Sequence, residues 1–86
     1  MAWMHETQAC LVTGTIRLLE FHHVRKHAGD QKDDTRGVML TVGYHRIGVD
    51  AVETIGDRRF QEKFDVDFEA EIKRCNAEYV AQGGKL

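Results

Sequence analysis

The stretch Glu20–His27, EFHHVRKH, gathers three of the chain's five histidines behind a carboxylate and around Arg25 and Lys26. Such residues serve metal ligation, proton transfer or phosphate binding, and their spacing discriminates among the three. A metal needs three or more convergent ligands. On a strand His22 and His23 project to opposite faces, while His23 and His27 share a face with the cationic Arg25 between them. A helix would align Glu20, His23 and His27 at i, i+3 and i+7, but the flanking composition favours a strand. Neither HExxH nor a Cys/His zinc spacing occurs, so no metal and no cofactor is expected.

Proton transfer is the second chemistry. His23 or His45, with Arg25, Arg46 or Tyr44, has the composition of a metal-independent nuclease centre, in which an imidazole moves the proton and a guanidinium steadies phosphate charge. Phe21, Arg25, Lys26, Tyr44 and Arg46 also interleave rings with cations, as single-stranded nucleic acid requires. The charge balance opposes both, because 12 basic residues against 14 acidic leave −2. Small nucleic-acid-binding or RNA-cleaving activity is therefore the alternative reading and not the first one.

Other mechanisms fall away on composition. The chain has no serine, which excludes a serine nucleophile, and no proline. Cys10 begins an apolar run and Cys75 lies on an apolar helical stripe, where a thiol behaves as a small hydrophobe. With no CxxC, two buried thiols in a reducing compartment are expected, not a disulfide framework. Gly43 and Gly48 lack the Lys-Ser/Thr of a phosphate loop. MAWMHETQ shows no basic-then-apolar leader. No apolar run nears the length that crosses a bilayer, roughly 20 residues. A cytoplasmic location without membrane contact is the expectation.

The elements that position these groups follow from patterning. The 86 residues, 42% hydrophobic and 30% charged, suit one small domain. Residues 9–24 predict a long strand bent at Gly14, residues 28–37 a polar loop, and residues 38–49 a second strand of the same hairpin. A loop centred near Lys32 pairs residues whose numbers sum to about 64, setting Val38, Leu40, Val42 and Tyr44 on the core face with Ile16 and Leu18. Asp50 and Glu53 resemble a capping box opening one helical turn that Gly56 ends. From Arg59 onward, Phe60, Phe64, Phe68, Ile72, Cys75 and Tyr79 fit a helical stripe, while Phe64, Val66, Phe68, Ala70 and Ile72 also alternate as in a strand. Composition predicts a third strand near 58–64 and a helix over 66–82 closed by Gly83-Gly84. The fold class expected is α+β, a two-layer domain with a three-stranded antiparallel sheet packed by one C-terminal helix.

One helix cannot cover both faces of that sheet. Leu19, Phe21, Met39, Ile47 and Val49 fall on the second face, so a cover is needed: the N-terminal segment with Trp3 and Met4, a second copy, or another protein. The sequence reading favours the last two. It predicts a non-catalytic protein-interaction module, an adaptor, subunit or inhibitor of the size often encoded by phages and mobile elements. Such a module binds a larger protein or itself as a homodimer, through Leu19, Phe21, His23, Arg25, Met39 and Ile47 on a sheet face or edge.

Overall fold

The computed structural model describes residues 2–24 and 35–85. Along these, α1 (Ala2–Thr7) leads through a turn to β1 (Leu19–His23), which pairs antiparallel with β2 (Gly37–Thr41). A π-helical turn (Gly43–Ile47), a one-turn helix α2 (Val52–Ile55), α3 (Asp57–Phe64) and α4 (Phe68–Ala81) follow. Both helix and strand are present, and among the described residues the sheet has two strands. The predicted loop 28–37 lies mostly outside the described residues.

The predicted strand over 9–24 is replaced by a turn and a short strand. Gly14, at φ +74°, takes the backbone through a tight turn in which its N–H donates to the Cys10 carbonyl at 2.8 Å, a conformation glycine adopts without steric cost. Leu18 also has φ +53°, which is uncommon for a bulky residue, so the extended run begins only at Leu19. The second strand is likewise shorter than 38–49. After Thr41 the chain winds into the π turn, closed by the Gly48 N–H donating to the Gly43 carbonyl at 3.0 Å.

Register differs from the expectation by four. The observed pairs, from Leu19↔Thr41 to His23↔Gly37, sum to 60 and not 64. An even shift preserves the faces, so Val38 and Leu40 do point into the main core. Ile16 and Leu18 do not join them, because they precede the strand and stand in solvent.

The third strand at 58–64 is a helix. DRRFQEKF supplies helix formers around Phe60 and Phe64, which lie one turn apart and meet at 4.7 Å between ring centroids. Gly56, at φ +88°, breaks α2 from α3, and Asp65, at φ +53°, breaks α3 from α4. The capping box also fails at its first position. Ala51 occupies the cap of α2 with no side-chain bond, and Asp50 pairs instead with Lys63 at 3.1 Å. The last helix starts where Asp67 accepts from the Ala70 N–H at 3.1 Å, and Gly83, at φ +93°, follows its end, as caps of those residue types do.

Two apolar clusters flank the sheet. Val38 and Leu40 pack with Cys10, Val24, Val52, Phe60, Phe68 and Ile72 on one side. On the other, Met39 packs with Met4 and Cys75, joined by Trp3, Leu19 and Phe21. The second face is therefore covered by α1, the cover that ranked below a partner in the sequence reading. Trp3 ties α1 to the end of α4, donating from Nε1 to Gln82 Oε1 at 2.8 Å with its ring edge-on to Tyr79 at 5.2 Å. A single packing helix is thus insufficient: α4 touches both clusters, while α1 and α3 each close one face.

Candidate functional site

The sequence-nominated residues separate in space. Met39 is 1% exposed beneath Met4 and so offers nothing to a partner in this conformation. Leu19 and Phe21 are half-buried against α1. The Phe21 ring lies over Gly37, so closely that a Cβ there would collide with it, and meets the His23 ring edge-on at 4.9 Å. Among the described ones only Ile47 is exposed, at 70%, at the end of the π turn. Arg25 lies outside the described residues.

An ionic cluster that the sequence reading did not assemble sits on the core face at the sheet's edge. Alternation turns Glu20 and His22 to the side of Val38 and Leu40, so both polar groups must find partners there. Arg46 grips Glu20 through Nε and Nη2 at 2.9 Å, and His45 Nδ1 lies 2.8 Å from the same carboxylate. His45 Nε2 approaches Glu53 at 3.6 Å. His22 Nε2 lies 2.8 Å from Asp57, and its ring meets that of His45 at 5.2 Å. The Arg46 hydrogen bond, then that of His45, holds the Glu20 carboxyl below the usual carboxylate range. The signal for this cluster was present in the even numbering of Glu20 and His22, which placed them beside core residues.

This arrangement joins β1 to the π turn, α2 and α3. Both nitrogens of His45 face carboxylates, and Arg46 is committed to Glu20. Tyr44 packs edge-on against Phe64 at 5.1 Å, and His23 faces the opposite side of the sheet. Of the nuclease residues, His45 and Arg46 therefore meet on the Glu20 carboxylate, while Tyr44 and His23 turn elsewhere. No group of three or more His, Cys, Asp or Glu among the described residues is arranged to hold a metal ion. An open groove of about 610 Å³ runs between the starts of α3 and α4. Its carboxylates Asp57, Glu62 and Glu69 bond His22, Arg58 and Arg36, and Asp67 is the cap of α4.

The two thiols differ although both are buried and free. Burial raises the Cys10 thiol, yet hydrogen bonds from the Thr13 hydroxyl and from backbone N–H groups, that of Thr41 included, outweigh it and lower the pKa. Burial, and next the nearby Glu71 carboxylate, push Cys75 up to about 11.

The edges of the sheet differ as well. Bonds from the Val42 N–H to the Leu18 carbonyl and from the Val24 N–H to the Arg36 carbonyl are both 2.9 Å long. They fix the even-numbered residues as the hydrogen-bonded pairs. Odd-numbered residues consequently turn their N–H and C=O groups outward. On β2 that outer edge is partly occupied, since the Met39 carbonyl accepts from Leu11 N–H at 2.9 Å and the Thr41 N–H reaches Cys10. On β1 the outward groups of Leu19 and Phe21 have no partner among the described residues. Ile16, Leu18, Ile47 and Val49 are all at least 70% exposed, in the segments entering β1 and leaving β2. No helix among the described residues is long and apolar enough to cross a membrane. No family model, no curated protein and no solved structure matches the chain.

Proposed function

We propose that this chain is a non-catalytic protein-interaction module, an adaptor, subunit or inhibitor, whose binding element is the outer edge of β1. The observation that carries the reading is the contrast between the two edges: on β2 the Met39 carbonyl and the Thr41 N–H are taken by Leu11 and Cys10, whereas the outward backbone groups of Leu19 and Phe21 on β1 are unpaired among the described residues. An extended segment of another protein supplies the complementary N–H and C=O row, which is strand addition. The exposed Leu18 and Ile47 at the same end of the hairpin add apolar area beside it. The competing reading, binding or cleavage of RNA through His45, Arg46 and Tyr44, draws no comparable support, because those groups are engaged within the chain.

Phe21→Ala and Phe21→Pro test this as a pair. Both remove the ring, but only proline removes the outward N–H, and at this odd position it leaves the β1–β2 bonds intact. With each variant immobilised at equal fold content by circular dichroism, bound protein, including untagged copies of the chain, should persist on the alanine variant and fall at least about tenfold on the proline variant. Equal retention by the two would sink the edge-strand reading.

A further inference from the structure

His45 stands between two carboxylates from different elements, and that placement suits one protonation state of its ring. Nδ1 lies 2.8 Å from Glu20 of β1, and Nε2 lies 3.6 Å from Glu53 of α2, an ion-pair distance; the side chain is only 13% exposed. A neutral imidazole carries one N–H, so whichever nitrogen donates, the other turns a lone pair toward a carboxylate. An imidazolium donates from both. We infer that His45 is a proton-dependent brace: in its charged form it ties α2 and the π turn to β1, and it slackens when the proton leaves.

The charges around the ring point the same way. Two carboxylates, Glu20 and Glu53, face one guanidinium, that of Arg46, which binds Glu20 and is also attracted by Glu53. One negative charge is left over, and a proton on His45 neutralises it. The remaining titratable neighbour is His22 on β1, whose ring meets that of His45 at 5.2 Å. His22 has a carboxylate of its own, Asp57 of α3 at 2.8 Å, which offsets a charge there. From α4 comes the uncharged Phe68 ring, 5.7 Å from His22.

The element that responds is α2. Its four residues are too few to stay helical unaided. Val52 anchors it in the main core, and the Glu53 side chain reaches back to His45. Loss of the proton leaves the core anchor and frees the other tie, so the response is local opening and not global unfolding.

Imidazole ¹⁵N NMR, which distinguishes a ring protonated on both nitrogens from a neutral one, tests the brace together with amide hydrogen exchange on the full chain. Glu53→Gln removes the charge from a side chain that is 54% exposed, while Glu62→Gln, whose carboxylate pairs with Arg58, is the control. At a pH of roughly 6.5, the ratio of charged to neutral His45 should be at least about threefold lower in Glu53→Gln than in wild type, and unchanged in Glu62→Gln. Between roughly pH 5 and 8, the protection factor of the Ile55 amide, bonded to the Ala51 carbonyl at 3.0 Å, should fall at least about threefold as His45 loses its proton. The Leu11 amide, on the far edge of the sheet, should keep its protection, and in His45→Gln the change at Ile55 should vanish. An equal ratio in wild type and Glu53→Gln, or an Ile55 protection factor that responds alike in wild type and His45→Gln, would overturn the inference.

Discussion

The two faces of the hairpin are closed by unequal means. Val38 and Leu40 meet Phe60 and Phe68, side chains delivered by two helices from the far end of the chain and wholly buried. Behind them, Met39 meets Met4 and Cys75, with Trp3 and Phe21 filling around them from half-exposed positions. The first face is held by apolar volume. The second relies on one short helix pinned at its ends, by Trp3 to Gln82 and by Gln8 to Arg74 at 2.7 Å. A six-residue helix has little stability of its own, so α1 persists only while that packing does.

The largest effect is expected at Phe60, on the stronger face. Replacing this ring by alanine should cost about 3–5 kcal/mol in urea denaturation, enough to unfold most of a small domain. Met4→Ala removes a smaller side chain from the thinner cluster and should cost roughly 2 kcal/mol. Equal losses at the two sites would erase the distinction between the faces.

Gly37→Ala probes the second face from β2. An added Cβ meets the Phe21 ring and stands 2.8 Å from the His22 carbonyl oxygen. A loss of about 1–3 kcal/mol is expected, partly relieved in a Phe21→Ala background, where only the backbone contact remains. No change in the double-variant cycle would mean that ring and glycine are not coupled.

Two smaller effects concern pH. Glu20 has a folded-state pKa below its ordinary value of 4.5, so its contribution is complete above that value and declines as pH falls further. Glu20→Gln should flatten this acid limb slightly, by little because the Arg46 end of the pair is exposed. Cys75 has the opposite sign. Its folded-state pKa is raised from 9.0 to about 11, so stability present below the lower value declines as pH rises through that interval. Cys75→Ala should remove that alkaline limb in denaturation curves measured across the same interval.

The same contrast explains what could be read in the sequence. The main face was legible because parity alone assigns Val38 and Leu40, and parity survives a register error of four. The error itself arose in the polar loop, whose composition fixes no centre. The last helix was legible from its helix formers and terminal glycines, whereas α3 was not, since short phenylalanine spacings satisfy both periods until Gly56 and Asp65 isolate the segment. Trp3 and Met4 were identified as a cover, but nothing in MAWMHETQ has enough periodic length to declare a helix. Of the six nominated binding residues, Leu19 and Phe21 flank the open edge and Ile47 stands near the hairpin's end. The ionic cluster was missed because Arg46 and His45 come from a π turn where a strand was expected.

The seam between Leu11 and Met39 governs how far any assembly can grow. A sheet with two free edges is a template that lengthens at both ends and makes fibres. Here the Leu11 amide and the Cys10 sulfur engage the Met39 carbonyl and the Thr41 N–H, so the middle of that side is already taken by the chain itself. A single hydrogen-bonded turn before β1 thus works against open-ended strand addition on that side.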